Sequence, residues 1–180
     1  SRPCLLQILQ QGITNSIILN YDSRFNDLSY WYQQLVGESL GKKNTGITPM
    51  VSFAPRDHHS LLQLYLDGPK DKFFTFLTSI EKEKKYKISR NFAMKSMKFL
   101  NNKSLKFIID AQCSAAKNVF KNRKIPFRNF TFRKMDEEEL GEILTFFVLE
   151  TILLSRLMNI NPFDQPAVEL VKTETKKILS

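Results

Sequence analysis

Residues 73–77, with the sequence FFTFL, restrict the fold of this chain more than any other feature. A strand with one solvated face alternates apolar and polar side chains, whereas a strand covered on both faces is almost continuously apolar. Three further strand-like segments, 16–20, 48–53 and 128–133, are separated from it by helical patterns. This alternation predicts an α/β fold, a three-layer sandwich with a mainly parallel sheet.

Helical spacing of apolar residues marks five segments: 23–36, 59–67, 104–122, 136–158 and a last one that begins at Pro166. Ser23 has the residue type of an N-cap, and Asp136 with Glu139 has the pattern of a capping box. The long fourth helix is expected to be buried. Residues 80–102 are polar and basic, and we predict an irregular surface excursion there.

The composition argues against several classes of protein. A chain of 180 residues with 42% hydrophobic and 25% charged residues is typical of a globular protein with a sizeable core. The longest apolar tract, 143–158, contains polar residues and is shorter than the about 20 residues of a membrane span. Cys4 and Cys113 lack disulfide or metal-site spacing, and no secretion signal is recognisable, so we expect free thiols and a cytoplasmic location.

The net charge of +9 raises nucleic-acid binding as one alternative. The lysines are interleaved with acids and asparagines, and no zinc pattern, helix-turn-helix spacing or aromatic RNA-binding motif accompanies them. We therefore interpret the charge as solvated surface, and predict neither a nucleic-acid nor a membrane partner.

Three motifs, in the same order along the chain, point to one family. Residues 31–42 (WYQQLVGESLGK), 57–65 (DHHSLLQLY) and 161–172 (NPFDQPAVELVK) resemble blocks of the glucose-6-phosphate isomerase (phosphoglucose isomerase) family. The resemblance covers only the second half of such an enzyme. It implies a second sugar-isomerase (SIS) domain over residues 1–159 and a C-terminal motif and helix over 160–180, with the N-terminal SIS domain absent.

The resemblance also implies an aldose–ketose isomerase. Such an enzyme converts D-glucose 6-phosphate to D-fructose 6-phosphate through a cis-enediol, without a metal or cofactor. The reaction needs a base that moves a proton between C2 and C1, and Glu38 falls at the position of the family's base. Gln34 lies one helical turn earlier on the same face and matches a substrate-binding glutamine of the family.

Ring opening requires a further proton transfer, to which a histidine is suited because its reference pKa is about 6.5. The family's histidine precedes a small residue, which favours His59 over His58. In the family this histidine serves the adjacent subunit, so His59 implies a homodimer. Lys172 matches a lysine that supports ring opening, and Gln165 matches a substrate-binding glutamine two helical turns earlier, so both can face one cleft.

Two parts of such an active site are missing from the sequence. There is no Ser/Thr-rich phosphate loop and no arginine of the Gly-Gly-Arg type, and the six glycines are isolated. We therefore predict half of an active site, with a sugar phosphate as substrate and incomplete activity alone.

The sequence leaves open whether a separate N-terminal half exists, or whether the chain is a fragment or a degenerate remnant. A non-catalytic module that binds sugar phosphates is the alternative function, which the joint presence of Glu38, His59 and Lys172 disfavours.

Overall fold

A parallel sheet forms the centre of the molecule. The computed structural model describes residues 12–80, 86–89 and 95–180. Within these residues there are four strands: β1 (Asn15–Asn20), β2 (Thr48–Phe53), β3 (Lys72–Ser79) and β4 (Phe127–Phe132). All their pairings are parallel, and their order is β2-β1-β3-β4. The predicted parallel sheet is therefore confirmed.

Helices connect the strands. The α-helices of the described residues are α1 (Asn26–Leu40), α2 (Arg56–Ser60), α3 (Leu62–Asp67), α4 (Leu105–Asn122), α5 (Glu137–Leu157) and α6 (Pro166–Leu179). Short 3-10 helices lie at Ser23–Phe25 and Lys95–Leu100. No helix in the described ranges is long and apolar enough to cross a membrane.

The sheet is covered on both faces, which explains the apolar run in β3. Phe73 and Leu77 contact the core formed with α1 and α5, whereas Phe74 and Phe76 enter a second core formed with α3 and α4. Side chains alternate between the two faces of a strand, so both faces of β3 must be apolar. This arrangement is the predicted three-layer sandwich.

The helix boundaries differ from the sequence prediction at two places. Ser23 is not the N-cap of α1; it begins a 3-10 helix that Asp22 caps by accepting a hydrogen bond from the Arg24 N–H at 3.1 Å. The single helix predicted over 59–67 begins at Arg56 and is divided at Leu61, where φ is −122°. Helical spacing of side chains does not reveal such a local break in the backbone.

The segment predicted as an irregular excursion contains regular structure in its described part. Residues Lys95–Leu100 form a 3-10 helix with one non-helical residue, and Lys87 pairs with Ser104 in an isolated bridge. The rest of this prediction, at 81–85 and 90–94, lies outside the described residues, as does Cys4. Cys113 is a buried free thiol.

Only half of the predicted capping box forms at α5. Asp136 accepts a hydrogen bond from the Glu139 N–H at 3.0 Å, as expected of an N-cap. The Glu139 carboxylate instead accepts from the N–H groups of Arg133, Lys134 and Met135. The helix is also buried on one face alone, because Leu149 and Leu153 remain 55% and 54% exposed.

Candidate active site

Glu38 lies in the last turn of α1, at the edge of the sheet where the strands begin. After β1, helix α1 runs back along the sheet and ends next to the start of β2. The Gln33 side chain marks this position by donating a hydrogen bond to the Pro49 carbonyl at 3.2 Å. The side chain of Glu38 is exposed there.

Two glutamines hold the carboxylate of Glu38. Gln34 Nε2 donates to Oε1 at 3.0 Å, and Gln165 Nε2 donates to Oε2 at 2.8 Å. The first contact follows from helical spacing, whereas the second joins residues 127 positions apart. A carboxylate has about four acceptor positions, so both oxygens keep capacity for a further partner. The structure thus brings together three of the five predicted site residues.

A cleft of about 730 Å³ opens beside this carboxylate. Its walls are the end of α1, the following turn, and the segment that leads into α6. The lining residues are Gly37, Glu38, Gly41, Lys42, Lys43, Asn44, Thr45, Ile160, Asn161, Asp164, Gln165, Pro166, Ala167 and Val168. Pockets of roughly 300–1,000 Å³ are usual for small ligands, so the cleft has a suitable size.

Lys42 also lines this cleft, and its role was not predicted from the sequence. Its Nζ donates to the Asn161 carbonyl at 2.5 Å and pairs with Asp164 Oδ1 at 3.0 Å. The hydrogen bond from Lys42 lowers the pKa of Asp164. A lysine that follows a helix is usually solvated. The one sequence feature that could have indicated a role for Lys42 was its place at the end of the motif 31–42.

Lys172 is not among the residues that line the Glu38 cleft. It is on α6, is exposed, and pairs with Glu169 Oε1 at 2.6 Å. No side chain of α6 is buried. Although Gln165 and Lys172 are two turns apart, only Gln165 reaches the cleft, so a catalytic role of Lys172 remains a prediction.

His59 and Glu38 lie at opposite ends of the strands. Glu38 is beside the first residues of β2, whereas His59 is on α2, which follows the last residue of that strand. At about 3.3 Å per residue, the six residues of β2 span roughly 17 Å. The two side chains therefore do not meet within one chain.

The neighbouring histidine, His58, contacts the core of the protein. The Tyr21 hydroxyl and His58 Nε2 are 2.5 Å apart and hydrogen-bonded, and their rings meet edge to face. Burial lowers the pKa of His58. His59 is exposed, so it is the one of the pair that faces solvent. Across the described ranges, no three His, Cys, Asp or Glu side chains cluster as a metal site.

Comparison with known proteins connects this chain to one family. The family model described as phosphoglucose isomerase matches residues 5–180. The glucose-6-phosphate isomerase of Methanocaldococcus jannaschii is 35% identical over 173 residues, which are 94% of this chain and 40% of that enzyme. The enzyme of Campylobacter jejuni is 34% identical over 170 residues, covering 92% and 42% of the two chains. The chain thus spans about two fifths of these relatives.

Solved structures have the same fold. A hypothetical protein from Thermus thermophilus superposes with a TM-score of 0.88 at 26% identity, over 99% of this chain and 44% of that one. A glucose-6-phosphate isomerase from Chlamydia trachomatis gives a TM-score of 0.75 at 17% identity, over 93% and 35%. The second likeness concerns the fold alone.

Proposed function

The chain belongs to the phosphoglucose isomerase family, and we propose that it supplies the part of a glucose-6-phosphate isomerase that carries the catalytic base. The observation that supports this function best is the carboxylate of Glu38, held by Gln34 and Gln165 at the mouth of a cleft. A binding module has no need of a fixed base, whereas proton transfer from carbon depends on one.

In the proposed reaction, Glu38 removes the C2 proton of the open-chain aldose. The electrons of that C–H bond form the C1–C2 double bond of the cis-enediol, and the former carbonyl oxygen gains a proton. Glu38 then returns its proton to C1, and the C2 hydroxyl loses its proton as the C2 carbonyl of the ketose forms. The proton released from the C2 oxygen balances the one that the C1 oxygen gained. Gln34 and Gln165 keep the carboxylate oriented and offer amides to the sugar hydroxyls.

Ring opening in this proposal uses His59 from a second copy of the chain, with Lys172 in support. The location of His59 at the far end of the strands supports the use of a second copy. In a symmetric dimer, the strand end that carries His59 in one chain can face the strand end that carries Glu38 in the other. The functional unit is then a homodimer with shared active sites.

The rest of the active site comes from a part that the relatives have and this sequence lacks, carried by the same or a separate polypeptide. That part supplies the phosphate anchor. Residues 1–159 form the second SIS domain, and residues 160–180 form the C-terminal motif and helix. The enzyme acts in the cytoplasm, as part of glycolysis, without nucleic-acid or membrane partners.

Complementation tests this function. The purified chain is mixed with the N-terminal remainder of the Methanocaldococcus jannaschii enzyme, and formation of glucose 6-phosphate from fructose 6-phosphate is followed. We expect negligible turnover by either part and turnover by the mixture.

The variant Glu38→Gln should lower the rate of the mixture by about 10²–10⁴-fold, the usual contribution of a general base. Glu142→Gln, an exposed carboxylate of α5, is the matched control and should keep the rate. A stable complex that binds the sugar phosphate without turnover would favour the non-catalytic module instead.

A further inference from the structure

We propose that Lys42 is a positioning residue, which holds the segment 161–165 against the end of α1 and so sets Gln165 against Glu38. This inference rests on the proposed function only in naming Glu38 as the base. The contact itself is a property of the chain and can be measured without any activity.

The backbone of Lys42 is fixed by a tight turn. Its N–H donates to the Thr45 carbonyl at 3.1 Å, and its own carbonyl accepts from the Thr45 N–H at 2.9 Å and from Thr45 Oγ1 at 2.8 Å. Lys43 and Asn44 between them have positive φ values of 52° and 56°, as in the primed turns. The Lys42 side chain therefore starts from a defined position.

Gly46 allows this turn to pack on the end of α1. Its φ is +146°, and a Cβ atom there would lie 3.0 Å from the Leu40 carbonyl oxygen and 3.1 Å from the Gly41 Cα. Both atoms belong to the backbone and have little freedom to move. The close approach keeps the turn, and with it Lys42, against the helix that carries Glu38.

The side chain of Lys42 reaches the C-terminal motif at two points. It is only 9% exposed, which is low for a lysine, and its ammonium contacts the Asn161 carbonyl and the Asp164 carboxylate. Within this short stretch, Asn161 Oδ1 also accepts from the Phe163 N–H at 3.1 Å. The cation thus holds both ends of the segment that directly precedes Gln165.

Little else fixes this segment. Ile160 is buried in the core, but beyond it every side chain except that of Pro162 is exposed. Two residues, Lys42 and Glu38, form the hydrogen bonds and ion pairs that join residues 161–180 to the remainder of the described chain. Loss of the Lys42 contacts should therefore free Gln165, because one hydrogen bond between the exposed side chains of Gln165 and Glu38 is weak by itself.

Solution NMR on the 180-residue chain tests this proposal. The probe is the nuclear Overhauser effect between the Gln165 side-chain amide and the Glu38 side chain. In Lys42→Met we expect this signal to disappear, and amide exchange over 161–168 to become about tenfold faster, with the sheet amides unchanged. Lys43→Met, which removes a neighbouring exposed lysine, should keep both readouts at their wild-type values.

A second variant leaves the buried lysine intact. Asp164→Lys alters a side chain that is 53% exposed and opposes Lys42 with a like charge, so it should also release Gln165. Persistence of the Overhauser effect in both variants would overturn the proposal. Its loss in Asp164→Lys supports the proposal even if Lys42→Met fails to fold.

The activity of the complemented enzyme separates positioning from structure. With the N-terminal remainder of the relative, Lys42→Met should lower kcat about 10–100-fold with a smaller change in KM, since misplacement of about 1 Å can cost 10²-fold. If the wild-type mixture is inactive, the proposed function fails while the NMR result still decides the role of Lys42.

Discussion

At the scale of single residues, the two adjacent histidines have different environments. His58 is half-buried and hydrogen-bonded to Tyr21, which itself stacks on Phe76 in the second core. His59 is exposed on the same short helix. One ring therefore supports the fold, and the other is free to meet a substrate or a second subunit.

Alanine variants should separate these two roles. His58→Ala leaves the hydroxyl of the buried Tyr21 without its partner, and we expect a loss of about 1 kcal/mol in the free energy of unfolding. His59→Ala should leave stability unchanged but lower isomerisation by the complemented enzyme about 10²-fold or more. Urea unfolding and the coupled assay measure the two effects, and the reverse pattern would assign ring opening to His58.

The free energy of unfolding at acidic pH should depend on the ionisation of Asp22. Burial opposes ionisation of this carboxyl, but hydrogen bonds from Arg24 and Ser79 outweigh it and lower its pKa from 3.8 to about 2. A group with a lowered folded-state pKa stabilises the protein above its unfolded pKa and loses this effect as the pH falls through the folded value. The stabilisation by Asp22 is therefore complete at neutral pH and disappears between about pH 4 and pH 2.

The matching experiment compares the wild type with Asp22→Asn by urea unfolding across this range. We expect the wild type to be the more stable at pH 7, and the difference to shrink below about pH 4. Glu142→Gln serves as an exposed control. A difference that stays constant from pH 7 to pH 2 would contradict the assignment.

At the scale of elements, an ion pair joins the edge strand β4 to α5. The guanidinium of Arg128 forms a bidentate contact with the Glu150 carboxylate, and its Nε donates to Thr75 Oγ1 at 2.9 Å. Four rings surround its Cζ within 5.2–5.6 Å, namely Phe73, Phe130, Phe146 and Phe147. The Arg128 and Glu150 side chains are only 15% and 9% exposed.

Removal of one partner should cost more than removal of both. Glu150→Leu leaves the largely buried guanidinium without its carboxylate, and we expect a loss of about 3–5 kcal/mol in the free energy of unfolding. Addition of Arg128→Met should recover much of this loss, because two apolar side chains need no charge partner. Chemical denaturation of both variants measures this, and a double variant less stable than the single one would contradict it.

At the scale of the whole molecule, two helices, α5 and α6, keep large apolar side chains exposed to solvent. Leu149, Leu153 and Leu157 on α5 are each more than half exposed, and Ile178 and Leu179 on α6 are 77% and 81% exposed. Because the chain spans about two fifths of its relatives, these faces are consistent with an assembly larger than this chain.

Shared active sites predict recovery of activity in a mixed dimer. In the complemented enzyme, Glu38→Gln and His59→Ala are each expected to lower the rate about 10²-fold or more. A hybrid of the two contains one site with both defects and one site with neither. After random subunit exchange, about a quarter of the wild-type activity should return. Absence of recovery despite demonstrated exchange would place both residues in the same chain's site.

The sequence alone was sufficient for features that depend on neighbours along the chain. The apolar run of β3 required a sheet covered on both faces, because adjacent side chains of a strand point in opposite directions. The contact between Gln34 and Glu38 followed from the spacing of one helical turn. The division at Leu61 was missed because it is a change of backbone angle that side-chain spacing does not encode.

Tertiary structure alone decided which distant residues meet. The contacts of Gln165 with Glu38 and of Lys42 with Asn161 join positions 127 and 119 residues apart, and no local pattern determines their distance. The separation of His59 from Glu38 likewise depends on the direction of β2 between them. Such relations arise when strands and helices pack, since packing, rather than propensity, sets the distance between elements that are remote in sequence.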